Sequence, residues 1–296
     1  TFNVKPPYVE AAINAGFDVF SLANNHTNDQ GSEGMIKTRE YFEGKRKDGI
    51  YSAGIKAVGT TNLTYQLIEK NDWKILFVAT TEILNSYANR SMIDFIAPNA
   101  DRRELFCQEL KKLREENPCD IFILSIHTCE DEYVHAITDT RRNLYRKYIE
   151  SGVDIIWANH PHLAKEWEIF TKDENSKPYA LAMYALGNTI SAQRTNPQFE
   201  KPETNRDYTG DGYLIQVKFE KLDENVAQQK QRTFEIAEVS PYLITTYINP
   251  NWQYVIQRLN DDFIQKLRDS NRTQWADYLS ARKTLMEKIH GKVVIE

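Results

Sequence analysis

The stretch "VDIIWANHPHL" (153–163) carries an apolar run straight into Asn159, His160 and His162, which hold two of the chain's six histidines. "FDVFSLA" (17–23) runs into Asn24, Asn25 and His26, "DIFILSI" (120–126) into His127, and "YALAMYAL" (179–186) into Gly187 and Asn188. Neutral imidazole is a good ligand for zinc, manganese, iron and nickel, and an Asn amide oxygen can complete such a shell. In "HPH" the proline favours an extended residue before it, and side chains two apart in an extended chain share a face. His160 and His162 are therefore expected to point into one pocket and to reach two neighbouring metals. Two metals about 3.5–4 Å apart activate water and clamp a phosphoryl group. A histidine beside a ligating Asn can donate a proton to the leaving group.

Each residue also has a plainer reading. A lone His at a strand end is usually a solvated or hydrogen-bonded loop residue, and His127 taken alone fits that. Three such strand ends together are poorly explained by chance. His135, in "EDEYVHAIT", is a support for a ligand, a substrate contact, or neither. Glu130, Asp131 and Glu132 can supply carboxylates, although a solvated loop is the simpler account. Gly187 and Asn188 suit a tight turn near the site. Arg194 is an anion binder or an ordinary exposed loop arginine.

The elements that must position these residues alternate. Helix patterns at 6–15, 32–49, 102–117 and 138–152 are interleaved with apolar strands at 17–23, 72–80, 120–126 and 153–158. Continuous apolar strands between amphipathic helices argue for an α/β sheet covered on both faces, and ligands bind at the carboxyl ends of such strands. Beyond residue 164 the patterns at 165–170, 179–186, 212–221 and 233–247 are strand-like with no helix between them. Residues 191–211 read as a long polar loop, and 252–290 as two helices with a break near Asp269–Thr273.

The composition is that of an ordinary globular chain, 41% hydrophobic and 27% charged over 296 residues. A net charge of −5 with no basic block gives no reason to expect nucleic acid as a partner. Cys107, Cys119 and Cys129 form no paired spacing, so neither a disulfide framework nor a cysteine zinc site is implied. No G-x-G-x-x-G, P-loop, H-E-x-x-H or G-x-S-x-G motif is present.

Four stretches carry a resemblance: "AGFDVFSLANNHTNDQGSEGMIKT" (15–38), "ILSIHTCEDEYVHAITDTRR" (123–142), "SGVDIIWANHPHLAKEWEIF" (151–170) and "YALGNTISAQR" (184–194). In order and spacing they resemble the bacterial capsule-synthesis CapA family over roughly residues 6–220. That family is associated with poly-γ-glutamate and related to calcineurin-like metallophosphoesterases. The resemblance implies an α/β fold, a four-layer α-β-β-α sandwich over residues 1–247, with a C-terminal helical appendage (248–296) packed on it. It implies Asn25, His127, His160 and His162 as metal ligands, the last two on different metals, and His26 as the general acid. His135, Asn188 and Arg194 are the candidate substrate contacts. The implied cofactors are divalent metal ions (Mn, Fe or Zn), two in the full-length protein. The implied substrate is an anionic polymer or phosphoester, with membrane synthase or export partners, outside the cytoplasm at the bacterial cell envelope.

The family's opening strand ending in Gly-Asp and its Asn-Leu-Glu segment have no counterpart here, so an N-terminal truncation is expected. Thr128-Cys129 replaces the family's Trp-Gly, and Asn159 the first residue of its His-His-Pro-His-like motif. Two functions compete: a metal-dependent hydrolase, and a non-catalytic polymer-binding or export component that keeps the fold. A third reading has the terminal helices and the 191–211 loop docking a membrane partner.

Overall fold

The computed structural model describes residues 2–295; Thr1 and Glu296, the outer ends of the two expected domains, lie outside the described residues. In chain order the elements are α1 (Pro6–Asn14), β1 (Val19–Ser21), α2 (Gly31–Lys45), β2 (Tyr51–Ala53), β3 (Tyr65–Lys70), β4 (Trp73–Thr81), α3 (Ala100–Glu116), β5 (Ile121–His127), α4 (Asp139–Glu150), β6 (Ile155–Asn159), β7 (Trp167–Thr171), β8 (Ala180–Met183), α5 (Asn205–Tyr208), β9 (Asp211–Lys221), α6 (Glu224–Lys230), β10 (Phe234–Ile248), β11 (Tyr254–Arg258), α7 (Asp261–Asp269), α8 (Thr273–Met286) and β12 (Gly291–Ile295). The fold is of the expected α/β class, with helices and mixed sheet. Contacts group the chain into two compact units, residues 1–129 with 143–157, and residues 130–142 with 158–296.

In the first unit β4 lies between antiparallel β3 and parallel β5, and β6 follows β5 in the strand order. The continuous apolar runs of β4 and β5 are explained by this place: Leu76, Val78, Phe122 and Leu124 are fully buried. Asn99 caps α3 by accepting from the Arg102 amide at 2.9 Å, and Phe106 and Leu110 turn inward. Phe106 meets Tyr148 of α4 edge-to-face at 5.3 Å. Truncating such a ring to Ala costs about 3–5 kcal/mol. Leu105 of α3 faces solvent. The strand expected at 17–23 shortens to three residues, paired parallel to β2. The hairpin of β3 and β4 turns through Asn71 and Asp72 at φ 52° and 64°, the conformation of a type I′ turn.

In the second unit β7 pairs antiparallel with β8 and parallel with β12, while β9, β10 and β11 form an antiparallel sheet. The register of β9 and β10 shifts between Ile236 and Glu238, which bends this long strand. Short helices α5 and α6 interrupt the region expected to be free of helix. The two terminal helices break where expected, but β11 and β12 flank them in place of further helix or coil. Tyr247, Leu259, Leu267, Trp275 and Leu279 form an apolar cluster that seats α7 and α8.

Candidate functional site

In the first unit the chain leaves β1 with the Leu22 amide bonded to Ala53 O at 2.9 Å and then turns sharply. A Cβ on Gly54 (φ 116°) would stand 2.5 Å from the Ala23 amide nitrogen, so only glycine allows this close approach. The turn is closed locally. Asn24 Oδ1 accepts from the His26 amide at 2.8 Å, and the Thr27 hydroxyl donates to Leu22 O at 2.7 Å. Asn25 is buried behind it, its Nδ2 donating to Asn85 Oδ1 at 3.3 Å while its backbone carbonyl accepts from the Asn85 backbone N–H at 2.9 Å. That orientation leaves Asn25 Oδ1 facing His127 Nε2 at 3.0 Å. His127 stands at the carboxyl end of β5, in register with Thr81 of β4. Of the expected ligands, Asn25 and His127 are thus brought together.

His26 Nδ1 contacts Asp29 Oδ2 at 2.8 Å, which fixes the ring plane, and the Asn85 amide lies 3.3 and 3.4 Å from the two ring nitrogens. Burial alone would raise the Asp29 carboxyl, but hydrogen bonds from the Phe2 amide and from His26 outweigh it and hold it below the usual carboxylate range. The pair lines a cavity of ≈ 640 Å³ with Phe2, Asn24 and Tyr41. Asp29 and Asn85 are functional neighbours that the sequence reading missed. The Asp29 signal is its place three residues beyond His26; Asn85 carries none. Glu82, directly after β4, is buried and binds Arg103 through Nε at 3.0 Å and Nη2 at 2.8 Å.

In the second unit the expected extended His-Pro-His is not found. His160 has φ 116° and His162 φ 61°, so the strand ends at Asn159 and both histidines sit in backbone conformations that L residues rarely adopt. Proline restrains the residue before it but does not hold a strand in place once sheet pairing stops. The two rings are still neighbours, 6.2 Å apart at 50°. Non-glycine residues held this way cost about 1–3 kcal/mol each and cluster at functional sites.

Asn188, the candidate substrate contact, is tied into the loop around His162 by its side-chain amide. Its Nδ2, with two hydrogens to share, lies 2.9 Å from Thr209 O, 3.1 Å from Gln193 Oε1 and 3.2 Å from His162 O, and its Oδ1 faces His162 Nδ1 at 3.0 Å. Gly187 precedes it at φ 78°, where a Cβ would lie 2.5 Å from Asp211 O. Tyr133, another left-handed residue at φ 63°, stacks on His162 at 6.0 Å and accepts from Gln193 Nε2 at 3.1 Å. Burial pushes the Tyr133 hydroxyl up, with Glu132 adding to the effect.

Arg194 is corrected outright. It is buried, with Nη1 bonded to Asp211 Oδ1 at 2.7 Å and Nη2 to the Thr245 hydroxyl at 2.6 Å and Thr246 O at 2.7 Å. Its guanidinium is consumed inside the unit and does not meet a substrate. His135 is half-buried: Nδ1 donates to Ala164 O at 3.2 Å, and the ring packs edge-on against Tyr208. Burial pushes its pKa down, partly offset by that carbonyl. Glu130 is not a solvated loop residue, since Lys165 Nζ lies 3.1 Å from its carboxylate and Arg141 Nε 3.8 Å. Among the described residues, no three or more His, Cys, Asp or Glu side chains group closely enough to hold a metal by themselves.

The comparisons with known proteins agree with the resemblance. The model of the bacterial capsule synthesis protein family PGA_cap matches residues 1–193. Capsule biosynthesis protein CapA of Bacillus anthracis is 24% identical over 256 residues, 85% of this chain and 56% of its own length. PGA biosynthesis protein CapA of Bacillus subtilis (strain 168) is 25% identical over 186 residues, 62% of this chain and 45% of its own. The chain therefore spans about half the length of these relatives. A solved structure of a hypothetical protein from Thermus thermophilus is similar at a TM-score of 0.42 and 17% identity, covering 81% of either chain. With the family model matched over well more than half of its length, this chain belongs to the bacterial capsule synthesis protein family PGA_cap.

Proposed function

We propose that this chain is a divalent-metal-dependent, phosphoesterase-like hydrolase of capsule biosynthesis, acting at the bacterial cell envelope on an anionic polymer or phosphoester. The observation that carries the reading is the approach of Asn25 Oδ1 to His127 Nε2 at 3.0 Å. Metal bonds of about 2.1 Å meeting at a right angle put two donor atoms about 3 Å apart, so the pair has the spacing of one edge of a coordination shell. Asn25 and His127 would hold one ion, and His160 and His162 supply the imidazoles for another. A bound ion would supply Lewis-acid polarisation of the substrate and acidify water. The chain's own residues do the rest. Asn85 keeps the Asn25 oxygen turned toward His127, and Asp29 keeps the His26 ring in place for proton transfer to the leaving group.

The names of the two Bacillus relatives support the capsule and envelope setting. Membrane-bound synthase or export proteins are the proposed partners, on the strength of the resemblance to the capsule-synthesis family; no helix among the described residues is long and apolar enough to cross a membrane. The test is calorimetric titration of metal-free protein with Mn²⁺ and Zn²⁺, followed by assay on chromogenic phosphoesters and on acidic polymer. N25A and H127A should lose one equivalent of metal, and H26Q should keep metal and lose turnover. Metal uptake with no turnover would favour the polymer-binding component. No uptake at all would refute the metal reading.

A further inference from the structure

Three segments of the second unit meet around a cavity of ≈ 520 Å³: the polar loop near 195–199, the turn between β10 and β11, and the turn between α7 and α8. The first two are tied together by the Tyr254 hydroxyl, which donates to Thr195 Oγ1 at 3.1 Å. The β10–β11 turn is held by Asn249. Its Oδ1 accepts from the Asn251 and Gln253 backbone N–H groups at 2.9 and 3.0 Å, and its backbone carbonyl accepts from the Trp252 N–H at 3.0 Å. That frame holds Trp252 at φ 59° and leaves it 80% exposed. A bulky residue in the left-handed region is strained, and no burial of the indole offsets the strain. Phe199 and Trp275 also line the cavity and pack edge-on at 5.4 Å, which gives it a fixed apolar wall.

The charge of this cavity is one-sided. None of its lining side chains is acidic, and Arg272 is among them. Arg272 lies over the Tyr247 ring at 5.8 Å, its Nε is buried without a hydrogen-bond partner, and no carboxylate pairs with it among the described residues. Arg268, on the preceding helix, is by contrast paired with Asp277 at 2.7 Å. A guanidinium left open in this way matches a planar carboxylate. The side-chain amides of Asn196, Asn271 and Gln274 line the same cavity, and each can both donate and accept. The Trp252 indole adds a flat apolar face and one N–H. We propose that the cavity binds an acidic, amide-linked chain, with a carboxylate on Arg272, amide groups on the Asn and Gln side chains, and a methylene stretch against Trp252. A neutral sugar would leave Arg272 unanswered, and a free phosphate would leave the indole unused. Gln193, two residues before Thr195, bonds Asn188 and Tyr133, so the cavity and the histidine loop share one segment. The inference rests on the proposed function only for its setting, a chain that meets an anionic polymer; it needs no metal and uses none of the residues proposed to hold one.

The test uses the whole chain, ¹⁵N-labelled and metal-free. The indole N–H resonance of Trp252, assigned through W252F, is followed as one of four probes is added: a short oligo-glutamate, a neutral Gly-Ser peptide of the same length, inorganic phosphate, or vesicles of an anionic phospholipid. Oligo-glutamate should shift the resonance saturably, and the other three should leave it in place at matched concentration. R272Q should need at least about tenfold more oligo-glutamate, while R268Q should bind as the wild type does. Circular dichroism confirms that the variants fold. The proposal is overturned if oligo-glutamate leaves Trp252 untouched, if the neutral peptide, phosphate or vesicles shift it as well as oligo-glutamate does, or if R272Q binds no more weakly than R268Q. Metal uptake is measured separately by calorimetry, so either reading can fail while the other stands.

Discussion

Replacing Arg194 separates a structural role from a substrate-binding one. In Arg194→Ala the side chain lost is almost wholly buried and makes three short bonds, to Asp211 Oδ1, Thr245 Oγ1 and Thr246 O, at 2.6–2.7 Å. Breaking a buried ion pair by removing one partner costs about 3–5 kcal/mol. Asp211 keeps its second cation, Arg282, whose Nε donates to Oδ2 at 2.7 Å, so the cost should fall near the lower end of that range. With stabilities of about 5–15 kcal/mol this is a large fraction of the total. At roughly 2–4 °C per kcal/mol for a chain of this size class, Tm should fall by roughly 6–12 °C. Arg194→Lys keeps the charge but loses the fork that reaches Asp211 and Thr245 together, so it should recover only part of the loss. Urea denaturation and thermal unfolding of both variants measure this. A wild-type Tm in Arg194→Ala, combined with weakened binding of an acidic polymer, would refute the structural assignment and restore the anion-binding one.

Three further outcomes follow from the same geometry. Asn188→Ala removes the side-chain oxygen that faces His162 Nδ1 at 3.0 Å, and metal affinity at that histidine should drop about 10–100-fold in calorimetry while the fold survives. Gly187→Ala forces a Cβ to 2.5 Å from Asp211 O at φ 78° and should destabilise the protein by at least about 1–3 kcal/mol in urea, with an unchanged midpoint counting against the turn geometry. His135 is kept from protonating by burial, partly offset by the Ala164 carbonyl, so its folded pKa lies below its unfolded value. Its contribution is therefore fully present above the unfolded value near about pH 6.5 and is lost as pH falls toward the folded one. Wild-type Tm should fall more than that of His135→Gln between about pH 7.5 and 5.5; parallel curves would contradict this.

Much of the scaffold could be read from local pattern because it is locally determined. The apolar runs of β4 and β5 and the helix patterns at 102–117 and 138–152 need no knowledge of distant residues. Strand β3 escaped notice because, at the end of its strand row, it is largely exposed and carries a weak apolar signal. The two strand ends at Asn25 and His127 do meet, although 102 positions separate them. What sequence could not show is set by long-range partners. Arg194 reads as a loop arginine until Thr245, 51 positions away, turns out to accept its hydrogen bond. Pro161 does not keep its neighbours extended because this loop is held from a distance, by Asn188 on His162 and by the Tyr133 amide on Pro161 O, and not by local preference alone. Asp29 carries little signal, and Glu132 reads more simply as a solvated-loop carboxylate, because acidic residues in polar stretches usually face water; only the structure sets them beside His26 and His162.

The central claim is that Asn25 and His127 hold a divalent metal. Anomalous diffraction from crystals soaked in Mn²⁺ or Zn²⁺ tests it most directly. The account predicts a peak within about 2.0–2.3 Å of both Asn25 Oδ1 and His127 Nε2, absent in H127A crystals. Full soaking with the two side chains still hydrogen-bonded to each other, and no peak beside them, would contradict it.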